Sequence, residues 1–127
     1  MSADNEPWDA LRQATAMLKA IGNTHRLLML CALAQRPMAV CDLNRRVPIA
    51  QSALSQHLAR LRSAGLVVAQ RDGPRIRYAL ANARTRRLIE AVCTEYRIRD
   101  FVADPAAAPA GSVHAEPADT GEALAPL

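Results

Sequence analysis

The stretch that most narrows the folds open to this chain is Ala50-Gln51-Ser52-Ala53-Leu54-Ser55-Gln56-His57-Leu58-Ala59-Arg60-Leu61-Arg62-Ser63-Ala64-Gly65-Leu66-Val67. Leu54, Leu58 and Leu61 recur at i, i+4 and i+7, which predicts one buried stripe along a helix. Gln51, Ser52, Ser55, Gln56 and Arg60 fall off that stripe. Their amides, hydroxyls and guanidinium are the groups that reach base edges and phosphates. Gly65, free to take a positive φ, is placed to end the helix. A helix with these two faces, entered from a short helix and a tight turn, is what a helix-turn-helix requires.

The flanking segments supply the other elements. A first helix is expected from about Glu6 to Ile21, with Asn5 as its cap, Pro7 in its first turn and Trp8, Leu11, Leu18 and Ile21 on its buried side. A second helix opens near Thr24 and carries Leu27, Leu28, Leu30, Cys31 and Leu33. Apolar on nearly every side, it should be the central helix of the core. Val40 to about Val47 forms a short third helix with Val40, Leu43 and Val47 inward, and Pro48-Ile49 makes the turn. Leu66–Arg71 and Arg75–Leu80 flank Asp72-Gly73-Pro74 and read as a β-hairpin. Ile76, Tyr78 and Leu80 share one of its faces, while Arg75 and Arg77 lie on the other. A last helix, about Ala83 to Phe101, carries Leu88, Ile89, Val92, Cys93 and Tyr96. The expected fold is mainly α with a small β-hairpin, in the order α-α-α-α-β-β-α: a winged helix-turn-helix. Its first and last helices are left over to pair two chains, and a dimer doubles the contacts available on a pseudo-palindromic duplex.

Residues 1–102 form this domain. Ala103–Leu127, made of Ala, Pro, Gly and acidic residues, is expected to be a disordered acidic tail. All 16 basic residues, 15 of them Arg, lie within residues 1–102 against eight acidic ones. A basic folded part suits a polyanionic partner, here double-stranded DNA. Only four aromatic residues are present, so the core must be aliphatic. No apolar run approaches the roughly 20 residues that span a bilayer, and no basic-then-apolar leader opens the chain. No membrane association and a cytoplasmic location are expected. With three cysteines and no export signal, a structural disulfide framework is not expected.

Several segments together resemble the ArsR/SmtB family of bacterial repressors. They are Thr24-His25-Arg26-Leu27, Val40-Cys41-Asp42-Leu43, Gln51 through Arg62, Ala64-Gly65-Leu66-Val67 and Arg77-Tyr78-Ala79-Leu80, and the resemblance spans about Leu18 to Val92. It implies a homodimer that binds an operator and leaves it when a small inducer binds. Gln51, Ser52, Ser55 and Gln56 are then the candidate groove contacts, and Arg60, Arg62, Arg75 and Arg77 the backbone contacts. Arg71 can assist. His57 is either a phosphate contact or a semi-buried histidine. His25 reads as a capping or surface group and is assigned no role.

Three inducer sites known in that family can be compared with this chain. The zinc-type site of the last helix needs histidines, and Ala83–Phe101 has none; no metal is expected there. The arsenic-type site resembles Cys-Val-Cys-Asp-Leu-Cys, of which Ala39-Val40-Cys41-Asp42-Leu43-Asn44 keeps one thiol. An arsenite-like ion would need Cys41 joined by another cysteine. The persulfide-sensing branch carries one cysteine in the second helix and one in the last. Cys31 matches the first position. The second falls where this chain has Arg97, with Cys93 one turn earlier. That offset of about 6 Å along a helix axis exceeds what a disulfide tolerates, unless a bridge through added sulfur atoms spans the gap or the last helix is set one turn differently. Cys31 and Cys93 are the candidate sensing thiols for reactive sulfur or an oxidant, and Cys41 is the alternative. Plain core packing is the competing reading for both.

No enzyme is expected. The chain has no Gly-rich phosphate loop, no nucleophile elbow and no Cys-x-x-Cys, and no cofactor is implied.

Overall fold

The computed structural model describes residues 6–98. Asn5, Phe101 and the segment 103–127 lie outside the described residues, as do the expectations placed on them. The elements are α1 (Glu6–Ile21), α2 (Thr24–Gln35), α3 (Val40–Arg46), α4 (Gln51–Ser63), β1 (Val67–Asp72), β2 (Arg75–Leu80) and α5 (Ala83–Glu95). This is the winged helix-turn-helix order expected from the sequence.

Helix α2 is the centre. Asn23 caps it by accepting the amide of Arg26 at 3.0 Å. Leu28, Met29, Leu30, Cys31, Ala32 and Leu33 are then buried in succession, so every side of the helix meets protein. Its neighbours are α1, α3, α4, α5 and β2. The helix ends before Pro37, and Met38 exchanges both backbone hydrogen bonds with Tyr78 of β2 (3.0 and 2.7 Å). That bridge fixes the second strand of the wing from its outer side, a contact the sequence does not suggest.

The turn into α4 is held by a residue to which the sequence pattern assigns no role. Asn44 Nδ2 donates to the carbonyls of Val47 (3.1 Å) and Ile49 (2.9 Å). Helix α4 then buries Leu54, Leu58 and Leu61, as its stripe requires, together with His57. At its end the Leu66 amide reaches the Leu61 carbonyl and the Gly65 amide reaches the Arg62 carbonyl, both at 3.0 Å. This is a Schellman pair, and it needs the positive φ that Gly65 adopts, 77°.

The hairpin pairs Val67 with Leu80 and ends at Asp72 opposite Arg75. Its two-residue loop is therefore Gly73-Pro74, not Asp72-Gly73. Gly73 has φ 65°, and Pro74 is confined to negative φ, which is the II′ arrangement. The inward face expected for Ile76, Tyr78 and Leu80 holds only at the base: Leu80 is buried, Tyr78 half-buried and Ile76 exposed. The outer half of the ribbon projects past the body and has no core beneath it.

Helix α1 departs most from expectation. Its spacing predicts Trp8, Leu11 and Leu18 on the buried side, yet they are 60, 55 and 62% exposed, and only Ala20 is buried. Helix α1 rests on the body through its C-terminal end, where Met17 and Ile21 meet the core. Helix α5 is shorter than expected. It ends at Glu95, and Arg97 takes a left-handed φ of 57°. No helix among the described residues is long and apolar enough to cross a membrane.

Gly65 offers a test of this local chemistry. A Cβ there meets nothing within 4 Å, so only the left-handed backbone penalises a side chain. Gly65→Ala should lower the unfolding free energy by about 1–2 kcal/mol, read as a shift of the urea midpoint at unchanged slope.

Candidate nucleic-acid interface and cysteine site

The solvent face of α4 is continuous. Gln51, Ser52, Ser55, Gln56, Ala59, Arg60, Arg62 and Ser63 are all exposed, because the buried positions sit three, four and seven apart on the opposite side. All the α4 candidates except His57 therefore lie on one surface. His57 is buried. Its ring stacks against that of His25, with centroids 6.3 Å apart, and Arg26 Nη1 lies 3.5 Å from its Nδ1. This removes His57 from the exposed face of α4. It also corrects the reading of His25 as a capping or surface group, since both rings fill the junction between the start of α2 and the middle of α4. Arg26 closes that junction by donating to the Ala20 and Lys19 carbonyls at the end of α1.

The wing is tied to the same surface. The Arg62 guanidinium sits over the Tyr78 ring, 5.9 Å from its centroid, so Arg62 positions the base of the wing while remaining exposed. Arg71, Arg75 and Arg77 are exposed on the ribbon. Arg77 pairs with Asp72 across the strands at 3.6 Å. Such a solvent-facing pair is weak and competes poorly with a phosphate. Arg45, exposed on α3 and paired i,i+3 with Asp42, adds a cation that the sequence pattern does not single out.

At the other end of α2 the structure joins Cys31 to Cys93 in a disulfide, with Cα atoms 6.3 Å apart. The expected one-turn offset is absent. Cys93 lies on the buried stripe of α5 with Thr85 and Ile89, so the last helix is set one turn differently against α2. A separation of 6.3 Å lies within the roughly 4.4–6.8 Å that disulfides span. Both cysteines are buried. They open onto a cleft of about 210 Å³ that is also lined by Ala34, Gln35 and Glu90. Arg86 clasps the two helices beside it. Its Nη1 donates to the Ala34 carbonyl at 2.7 Å and lies 3.4 Å from Glu90 Oε2. Gln35 Oε1 accepts from Arg46 Nη1 of α3 at 3.2 Å. Cys41 is a free, exposed thiol in the first turn of α3. Among the described residues, no three His, Cys, Asp or Glu side chains are grouped to hold a metal ion.

A buried trihelical body, an exposed polar recognition helix and a cationic wing together define a DNA-binding transcriptional regulator. The model of the bacterial regulatory protein arsR family matches residues 23–68. The HTH-type transcriptional regulator YgaV of Escherichia coli is 41% identical over 85 residues, 66% of this chain and 86% of that one. The transcriptional activator HlyU of Vibrio cholerae is 40% identical over 78 residues, 61% of this chain and 72% of that one. The chain belongs to the arsR family. Among solved structures, reduced HlyU from V. cholerae matches with a TM-score of 0.67 at 36% identity, covering 72% of this chain and 97% of that one. The transcriptional repressor BigR from Xylella fastidiosa matches with 0.68 at 26% identity, covering 77% and 97%. A homodimeric winged helix-turn-helix domain from Mycobacterium bovis matches with 0.67 at 30% identity, covering 79% and 92%.

The Cys31–Cys93 link closes a loop with a sequence separation of 62. Its formation should stabilise the fold by up to about 4 kcal/mol. Urea midpoints of a Cys41→Ser protein with and without reductant measure this, and Cys31→Ser should show no reductant dependence.

Proposed function

We propose that two copies of this chain bind a two-fold operator and release it when Cys31 and Cys93 are oxidatively bridged, relieving repression. The observation that carries the reading is the juxtaposition of the two buried cysteines on α2 and α5. The homodimer is supported by Trp8, Leu11 and Leu18, which project from one face of α1, and by exposed Leu88 of α5 and Tyr96 just past its end. So much apolar surface on two helices asks for cover, and the similar M. bovis domain is homodimeric. Gln51, Ser52, Ser55 and Gln56 read the groove, Arg60 and Arg62 hold the backbone, and Arg75 and Arg77 reach phosphates or a neighbouring minor groove.

The sensing chemistry balances with a persulfide donor. One cysteine thiolate attacks the outer sulfur of RSSH, forming a protein persulfide and releasing RSH. The second thiol displaces hydrogen sulfide from it and closes the Cys31–Cys93 disulfide. A peroxide reaches the same product with water as the leaving species. With a second equivalent of donor both cysteines become persulfides, and attack of one on the inner sulfur of the other releases hydrogen sulfide and leaves a trisulfide bridge. Exposed Cys41, with neither other cysteine free to join it in this form, gives no support to the arsenite reading.

Cys31→Ser and Cys93→Ser should each leave operator affinity within about twofold of the reduced protein and abolish release by a persulfide donor in a gel shift. Full release in the double variant would sink the proposal. Arg75→Ala with Arg77→Ala should lower the slope of log K against log salt by about 1.8, near 0.9 for each phosphate no longer neutralised. An unchanged slope removes the wing from the interface.

A further inference from the structure

One stripe of α5 is left exposed by the rest of the chain. Thr85, Ile89 and Cys93 take the buried side of the helix. Arg84, Leu88, Ala91 and Glu95 are all exposed. They follow one another at intervals of four, three and four residues, so they lie in one line along the helix, about 16 Å from end to end. The line begins with a cation, ends with an anion and carries a large and a small apolar side chain between them. Among the described residues neither Arg84 nor Glu95 has an ion pair. Both charges also oppose the dipole of their own helix. A first turn favours an acid and a last turn a base. The first turn of α5 instead holds Arg84 and no acid, and its last turn holds Glu95 and no base.

We propose that this stripe is the seam on which α5 of a second copy lies antiparallel, with Arg84 paired to the partner's Glu95 and Leu88 set against the partner's Ala91, each contact occurring twice. The inference rests on the homodimer proposed above and gives it a register and a basis for choosing its partner. Arg84 with Glu95, and Leu88 with Ala91, are both centred midway between Ile89 and Glu90, so one two-fold axis satisfies both pairs. The reversal also brings the partner's Glu95 to the N-terminal end of α5 and the partner's Arg84 to its C-terminal end. Each end then gains the charge that its own dipole favours. A parallel arrangement would set like charge against like at both ends. An exposed ion pair is weak by itself. Symmetry doubles it here, and a helix with another order of charges meets the stripe as a mismatch. The seam therefore favours a second copy of this chain over other proteins with the same fold.

Charge exchange in the full-length, reduced protein tests the register. Arg84→Glu leaves two acids on each stripe, and Glu95→Arg leaves two bases. Two attractive contacts become two repulsive ones, so each variant should form its homodimer about tenfold more weakly at low salt in analytical ultracentrifugation. The deficit should shrink at high salt. The chain with both changes restores the pairs in reverse and should dimerise within about twofold of the original. Arg84→Glu and Glu95→Arg chains, co-expressed with tags of different mass, should assemble chiefly as the mixed dimer. At tenfold weaker homodimers it makes up about nine-tenths of the total by native mass spectrometry, against about half by chance. Arg71→Glu, an equal charge change on the wing, should leave dimerisation unaltered.

A loss that the combined change fails to reverse, a mixed dimer at the chance proportion, or an equal loss in Arg71→Glu overturns the proposal. The co-expressed pair keeps the test decisive if either single variant is unstable alone, because its stripes are complementary only to each other. An original chain that sediments as a monomer at every concentration overturns the homodimer and the seam together. A dimer indifferent to every exchange overturns the seam and leaves the homodimer standing.

Discussion

Helix α2 can be stable only if protein surrounds it. Six successive residues, Leu28 to Leu33, are buried, which no amphipathic surface helix tolerates, and the other helices and the wing are arranged to meet that demand. At about 0.8 kcal/mol for each buried methylene, this helix gathers the largest share of the aliphatic core of a chain with four aromatic residues. Its two ends do different work. At the N-terminal end Arg26, His25 and His57 lock α2 to the recognition helix and to the end of α1. At the C-terminal end Cys31, Ala34 and Gln35 face α5 and the end of α3. One rigid rod thus touches both α4 and the cysteine pair.

The excess of arginine divides along the same line. Arg46 donates to the Gln35 side-chain amide oxygen, while Arg26 and Arg86 donate to backbone carbonyls in the last turns of α1 and α2. There a guanidinium satisfies groups that a helix leaves unpaired, and it complements the local dipole. Arg62 stacks on Tyr78. What remains exposed on α3, α4 and the wing is a smaller set: Arg45, Arg60, Arg62, Arg71, Arg75 and Arg77. Net charge alone therefore overstates the DNA footprint. The position of each arginine on its helix is what identifies the set available to phosphates.

The element order and the two-faced α4 are legible in the sequence because periodicity and glycine placement are local properties. Leu54, Leu58, Leu61 and Gly65 occupy the places their spacing predicts. Sequence and structure part where a partner distant in the chain decides the outcome. Trp8, Leu11 and Leu18 do form one apolar face, but nothing within residues 6–98 covers it. His57, three residues after Leu54 and four before Leu61, stands on the buried stripe by its spacing, and what the sequence does not show is that His25 and Arg26 of α2 are its partners there. Asn44 stands where a metalloid site would have its last cysteine, whereas its amide holds the turn into α4. The register of Cys93 differs from expectation because Thr85, Ile89 and Cys93 form the buried stripe of α5 and set which turn of that helix lies against α2, a pairing between elements far apart in the chain. The Arg86 clasp has no sequence signal at all: its acceptor is a backbone carbonyl 52 residues away.

On the proposed dimer, α1 and α5 form the seam, and α4 is carried on α2. The spacing of the two recognition helices, which must match about one turn of duplex, is then set by the angle at which α2 leaves α5. The cysteine bridge, the Arg86 clasp and the cleft all lie at that junction, and Gln35 extends it to α3 through Arg46. A bond between Cys31 and Cys93 can lower operator affinity only to the extent that the α2–α5 angle favouring the bridge differs from the angle favouring DNA. The coupling is reciprocal: whatever free energy the bridge withdraws from DNA binding, bound DNA withdraws from bridge formation. A packed core makes such a difference discrete, because side chains as close-fitting as Leu30, Leu33 and Ile89 interdigitate in a few arrangements and resist continuous deformation. Oxidation at one end of α2 can therefore reach the duplex without any contact between the sulfur atoms and the recognition helix.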